Sequence, residues 1–261
     1  MKLEERGVSN TVGGNFETNN FSIQMSAHAF RTLSDTLYTN KERAVSREVT
    51  CNAEDGRVRA GATRPGDVHL PTKFEPWFSV RDYGCSMTHD QVMRRYTTYF
   101  DSDKNDSNQE IGGFGLGCKS PFALSDSFTV ERFKDGQHGI YNAFISGDGI
   151  PKIAKVGDDQ PTTEPDGIKV HVPVKLQDAF VWEREAAFVY ATFEVTPNVI
   201  NCKTFTPEDI TIDSVVDDPK FLISKVTGRY HNKHWLVMGG VRYEVPYELI
   251  PNELSHYYYT T

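Results

Sequence analysis

The chain has 261 residues, enough for one large domain or two smaller ones, with 38% apolar and 12% aromatic residues and a formal charge of −8. No apolar run approaches the roughly 18 residues of a membrane span. The opening Met1-Lys2-Leu3-Glu4-Glu5-Arg6 lacks the apolar core of a secretory signal, and no Lys/Arg block offers a footprint for a nucleic-acid backbone. Any polyanion held by so acidic a chain is expected to be small and gripped locally, with a divalent cation.

Residues 1–19 are polar and read as a mobile leader. Phe21-Ser22-Ile23-Gln24-Met25 alternates as a half-buried strand does. Ser26 then caps a helix carrying Ala29, Phe30, Leu33 and Leu37. A second helix follows Asn40 through Arg43, Val45 and Val49 towards Ala53, with Gly56 as its stop. After a Pro/Gly-marked stretch, Trp77-Phe78-Ser79-Val80-Arg81-Asp82 reads as a strand ending on an acid. Residues 88–100 are expected to be helical, and 101–110 form a loop too polar for a core.

Further strands are expected at 126–133, 139–146 and 167–174, then a helix at 180–194 and a return to strand around 195–205. Pro207, Asp209 and the turn Asp217-Asp218-Pro219 mark a boundary, and Gly239-Gly240 turns a hairpin between Trp235 and Val245. The tail Tyr257-Tyr258-Tyr259 closes no element, which suggests a piece of something longer. Cysteines at 51, 85, 118 and 202 form no C-x-x-C pair, so reduced thiols are a better reading than zinc. His231 and His234 are close, but Gly228 and Asn232 suggest a turn rather than a metal-binding helix.

Three segments carry chemistry. The run Ile111-Gly112-Gly113-Phe114-Gly115-Leu116-Gly117-Cys118-Lys119-Ser120-Pro121-Phe122 can leave backbone amides free to wrap a phosphate, although linkers and tight turns look similar. Glu48, Asn52 and Asp55, at i, i+4 and i+7, share a helix face. The bland reading is a solvated stripe. The functional one gives Glu48 an attacking water and Asn52 a place in a magnesium shell. Asp82, followed by Gly84 and Met87, can accept from an adenine amine while the glycine lets the base approach; an ordinary Asp-x-Gly turn has the same pattern.

In this order the three pieces resemble the GHKL superfamily of gyrase-type topoisomerases, Hsp90 chaperones, histidine kinases and MutL proteins. Its helix box Arg-Glu-x-x-x-Asn-x-x-Asp is met by Arg47, Glu48, Asn52 and Asp55. Its adenine box Asp-x-Gly-x-Gly is met by Asp82 and Gly84, with Ser86 in the last place. Its flap Gly-x-x-Gly-x-Gly is met by Gly112, Gly115 and Gly117, with Ser120 and Phe122 following as in chaperone-like members. Leu37-Tyr38-Thr39-Asn40-Lys41, Gly117-Cys118-Lys119-Ser120-Pro121-Phe122 and Gly147-Asp148-Gly149 are also similar to the rapid-lysis A proteins of T-even-like phages, from about residue 20 to 205.

The resemblance implies an α+β fold. It is a Bergerat-type two-layer sandwich over residues 1–205, a mainly antiparallel mixed sheet with helices on one face. The start of a transducer-like domain follows over 206–261. It implies ATP and magnesium as ligands, slow hydrolysis and a homodimer. Segment 101–117 would be the lid. Glu48 would position water and Asn52 would hold magnesium. Asp82, with Gly84 and Met87 after it, would meet the base, and Asp55 would join the nucleotide-binding residues. Gly112, Gly113, Phe114, Gly115, Leu116 and Gly117 would wrap the phosphates, with Ser120 beside them. Lys119 would either reach a phosphate or face solvent, and Lys104 is a weaker contact. It further implies a phage lysis-timing role in the host cytoplasm, near the inner membrane, alongside a rapid-lysis B-type partner. Two departures bear on adenine: Ser86 is less suited than glycine to positive φ, and Asp166-Gly167-Ile168 lacks the hydroxyl that usually follows the glycine. A switch that barely hydrolyses, a phosphotransfer kinase and a scaffold with a vestigial pocket are the rival readings. The kinase is the weakest, since no helix with a phosphoacceptor histidine precedes the first box.

Overall fold

The computed structural model describes residues 26, 27, 29, 30, 32, 38–98, 116–175, 179–209, 211–218, 221–227, 234–238, 240–246 and 248. The strand expected at 21–25, the leader, the loop 101–110 and the helix positions Leu33 and Leu37 lie outside them. Ser26 does cap the first helical turn, accepting from Ala29 N–H at 3.2 Å.

Helix α1 spans Lys41–Arg59. Asn40 starts it from an extended backbone, its side chain accepting from Arg43 N–H at 2.9 Å. Gly56, expected from the sequence to end it, sits inside it instead. The stop lies at Gly61, whose φ is +62°. Gly61 N–H bonds the Val58 carbonyl and Ala62 N–H the Arg57 carbonyl, the paired bonds of a Schellman cap. Helix α2, His89–Thr97, opens on a reciprocal capping box between Thr88 and Gln91 and buries Val92 and Tyr96 one turn apart. Helix α3, Ala179–Tyr190, stops short of the expected 194.

Seven strands form one sheet: β1 Asp67–His69, β2 Trp77–Arg81, β3 Ser127–Lys134, β4 Gln137–Ile145, β5 Pro151–Pro161, β6 Gly167–Pro173 and β7 Asn198–Val199. The spatial order is β5-β4-β3-β6-β2-β1-β7, with every neighbouring pair antiparallel except β1 and β7. The register places Val68, Val80, Val170, Val130 and Tyr141 in one row across five strands, all buried. The adjacent row, His69, Ser79, His171, Thr129 and Asn142, points to the opposite, polar face. The result is a two-layer α/β sandwich.

The helical layer packs on the apolar rows. Trp182 of α3 is fully buried and stacks on Phe78 at 4.4 Å between centroids. Arg43 of α1 bonds the buried Glu185 of α3 at 2.7 Å. The Tyr190 hydroxyl meets Ser46 at 3.2 Å and Thr50 at 3.0 Å, so α1 and α3 are locked by polar as well as apolar contacts.

Strand β5 was not expected from the sequence. Lys152, Lys155, Gly157, Asp158 and Asp159 are poor strand formers, and its one partner is β4. An edge strand rich in lysine and acid resists pairing with other chains. The expected strand at 195–205 shrinks to the two residues of β7. A second, four-stranded antiparallel sheet follows: β8 Thr211–Asp218, β9 Phe221–Thr227, β10 His234–Met238 and β11 Val241–Val245. Its β10–β11 hairpin is the one expected. Asp217 and Asp218, expected in a turn, instead end β8 and pair with Leu222 and Phe221 of β9, and Pro219 lies outside the described residues. Among the described residues no helix is long and apolar enough to cross a membrane.

Candidate functional site

One pocket opens where α1, the end of β2 and the start of β6 meet, with about 720 Å³ of free space including its mouth. Asn52 and Asp55 line it from the helix, Asp82 from the strand tip and Met87 from the loop after it. Asp55 is buried, so the helix stripe is not a solvated face at that position.

Asp82 sits one residue past β2, where the backbone leaves the sheet. Its Oδ1 accepts from Gly84 N–H at 2.9 Å and its Oδ2 from Ile168 N–H at 3.1 Å. Burial pushes its pKa up to about 6, while those two bonds and the Arg81 charge pull the other way. Ile168, noted in sequence for a missing hydroxyl, thus contributes its amide. Arg81 buttresses the same corner, donating to the carbonyls of Asp82 and Pro165.

The two glycines here serve backbone contacts. A Cβ on Gly84 would overlap the Gly56 carbonyl, so this glycine lets the loop lie on α1 and does not itself line the pocket. Gly167, at φ +143°, is pressed against the Asp82 carbonyl in the same way. Ser86 departs from the expectation that a non-glycine avoids positive φ. It adopts φ +55°, and its hydroxyl donates to the Gly167 carbonyl at 2.9 Å. A hydrogen bond of about 1 kcal/mol offsets a left-handed penalty of about 1–2 kcal/mol.

Glu48 stands beyond the pocket, on the Asn52 side. Its Oε1 accepts from Arg47 Nη2 at 2.8 Å and Nε at 3.2 Å. Its Oε2 faces Gly117, where a Cβ would lie 2.6 Å away, and the Asn52 amide would lie 3.5 Å from the same point. Gly117, the last glycine of the glycine-rich run, therefore lies against both helix residues. Burial opposes the charge on Arg47, but the Glu48 carboxylate outweighs it and raises the guanidinium pKa. Tyr38 lies close enough that burial and then the Glu48 charge push its phenol up to about 12.

Gly117 opens a 3-10 helix, Gly117–Ala123, after the half-buried Leu116. Lys119 is buried and its Nζ donates to the Thr98 carbonyl at 2.6 Å, so it neither faces solvent nor lines the pocket. Ser120 is buried in the same helix, its hydroxyl bonding no described residue. Lys104, Gly112, Gly113, Phe114 and Gly115 lie outside the described residues. Sequence reading missed Tyr96, Cys85 and Cys118 on the pocket wall and Tyr38 beside Glu48. The buried i, i+4 pair Val92 and Tyr96 was the available signal for the first of these.

No protein-family model matches the chain. It is similar to the chaperone protein HtpG of Rhodococcus jostii, 28% identical over 169 residues, covering 55% of this chain and 25% of that protein. HtpG of Mycolicibacterium vanbaalenii is 27% identical over 226 residues, 72% of this chain and 34% of the relative. HtpG of Pseudoalteromonas translucida is 29% identical over 148 residues, 47% and 23% respectively. The matches span about a quarter to a third of the length of these relatives. They support an Hsp90-like domain of the GHKL superfamily.

Proposed function

We propose that this chain binds ATP with magnesium in the pocket between α1 and the β2 tip, and hydrolyses it slowly. The observation that carries the reading is the convergence of Asp82, Asn52 and Asp55 on one cavity, with Glu48 against Gly117 at its far side. Asp82 accepts from the adenine amine; Gly84 and Ile168 amides hold its carboxylate in place. Met87 packs against the base. Glu48, with one oxygen bonded to Arg47 and the other facing Gly117, positions the attacking water on the flap side. The glycines 112–117 wrap the phosphates, a role supported by their sequence pattern and by the place of Gly117.

Asn52 fits a magnesium site, since a neutral amide beside Glu48 leaves room for phosphates and water in the shell. The ion would offset phosphate charge. Asn52→Ala is expected to weaken ATP binding only when magnesium is present. Fluorescent-nucleotide titration with and without EDTA measures this, and an equal loss in both would remove Asn52 from the metal.

The Asp82 carboxyl gives a second expectation. Adenosine, which has no titrating phosphate, binds more weakly as the pH falls through about 6, because protonation removes the anionic acceptor. An affinity flat across that range would separate Asp82 from the base.

A homodimer, the lid role of 101–117 and a chaperone-like output follow from superfamily likeness. The phage lysis role, with its membrane-proximal partner, rests on the shared residue strings alone. The occupied Oε1 of Glu48 favours a second reading, a nucleotide-binding switch with very little turnover.

A further inference from the structure

The four-stranded sheet reaches the Arg47–Glu48 pair. Tyr243 of β11 presents its ring to the Arg47 guanidinium at 5.8 Å from the centroid, inside the range of a cation–π contact. Arg47 in turn holds Oε1 of Glu48 and leaves Oε2 towards Gly117. Strand β11 is itself fixed to α3 and the segment after it. Arg242 donates to the Phe188 carbonyl and to Glu208 at 2.9 Å, and lies over the Phe188 ring at 3.5 Å. Thr192 Oγ1 donates to the Gly240 carbonyl at 2.8 Å.

We propose that Tyr243 is a positioning residue that holds Arg47 against Glu48, so that the second sheet sets the orientation of the hydrolytic carboxylate. The proposal rests on the role given to Glu48 above. A carboxylate with one oxygen pinned offers the other in a fixed direction; a released one rotates, and hydrolysis is sensitive to such misplacement. The guanidinium lies over the ring of Tyr243, which is the contact the substitution test addresses. The sheet thereby has a physical line to the reaction: a shift of β11 relative to α1 alters Glu48 without touching the base site.

The test compares Tyr243→Leu, which keeps an apolar side chain without a π face, with Tyr243→Phe, which keeps the ring. Tyr243→Leu is expected to lower kcat about tenfold with KM unchanged, while Tyr243→Phe stays at the parent value. In an Arg47→Ala background, Tyr243→Leu adds no further loss. The ¹⁵N NMR signal of Arg47 Nε–H should exchange faster with water in Tyr243→Leu than in the parent or Tyr243→Phe. Equal kcat loss in the Leu and Phe variants, or an unchanged Nε–H signal in Tyr243→Leu, overturns the proposal. That signal is read without turnover, so a failure of Glu48 as the base is seen separately.

Discussion

Glu48→Ala is expected to slow ATP hydrolysis by about 10²–10⁴-fold while nucleotide affinity survives. The separation follows from position. The pocket proposed to take the base is lined by Asp82, Asp55 and Met87, and Glu48 is not on its wall. The carboxylate lies one turn before Asn52, against Gly117, where it can act on water but contributes little to holding adenine. Steady-state turnover beside equilibrium titration measures both quantities. Turnover equal to the parent would remove Glu48 from the reaction, and a parallel loss of affinity would place it in binding instead.

Gly167→Ala is expected to cost about 4 kcal/mol or more of stability, summing backbone strain and forced overlap. The glycine has φ +143°, and an added methyl would overlap both the Asp82 carbonyl and the Arg81 guanidinium. Because Asp82 N–H bonds the Ile168 carbonyl and Ile168 N–H bonds the Asp82 side chain, the same shift would dislodge the Asp82 carboxylate. Gly61→Ala is the natural comparison: its φ is +62°, yet nothing lies within 4 Å of the new Cβ. It should cost only about 1–2 kcal/mol. Thermal or denaturant unfolding ranks the two, and a Gly167 variant no worse than the Gly61 variant would contradict the close approach.

What could be read from sequence followed helical and strand periods. A spacing of four and seven put Glu48, Asn52 and Asp55 on one side of α1, and the run from Trp77 to Arg81 put Asp82 at the end of a strand. Contacts between distant backbones left no such mark. Gly56 looked like a stop because glycine often ends helices, yet here it faces Asp82 from within α1, and Gly84 is glycine because α1 passes so close. Lys119 read as phosphate-reaching or solvent-facing until the 3-10 turn carried it to Thr98. Strands β5 and β8 escaped because Asp158, Asp159, Asp213 and Asp217 argue locally against strand; pairing with β4 and β9 overrides that preference. Tyr38 and Tyr243 lie far apart in sequence, and no periodicity links either to Glu48.

Titration with magnesium-ATP, followed through the backbone amide NMR signals of Gly84, Ile168 and Gly117, tests the shared pocket most directly. The first two amides report the Asp82 end and the third the Glu48 end. All three should shift together and saturate with a single apparent affinity. Saturation at Gly117 with Gly84 and Ile168 unmoved, or the reverse, would contradict a single nucleotide spanning both ends.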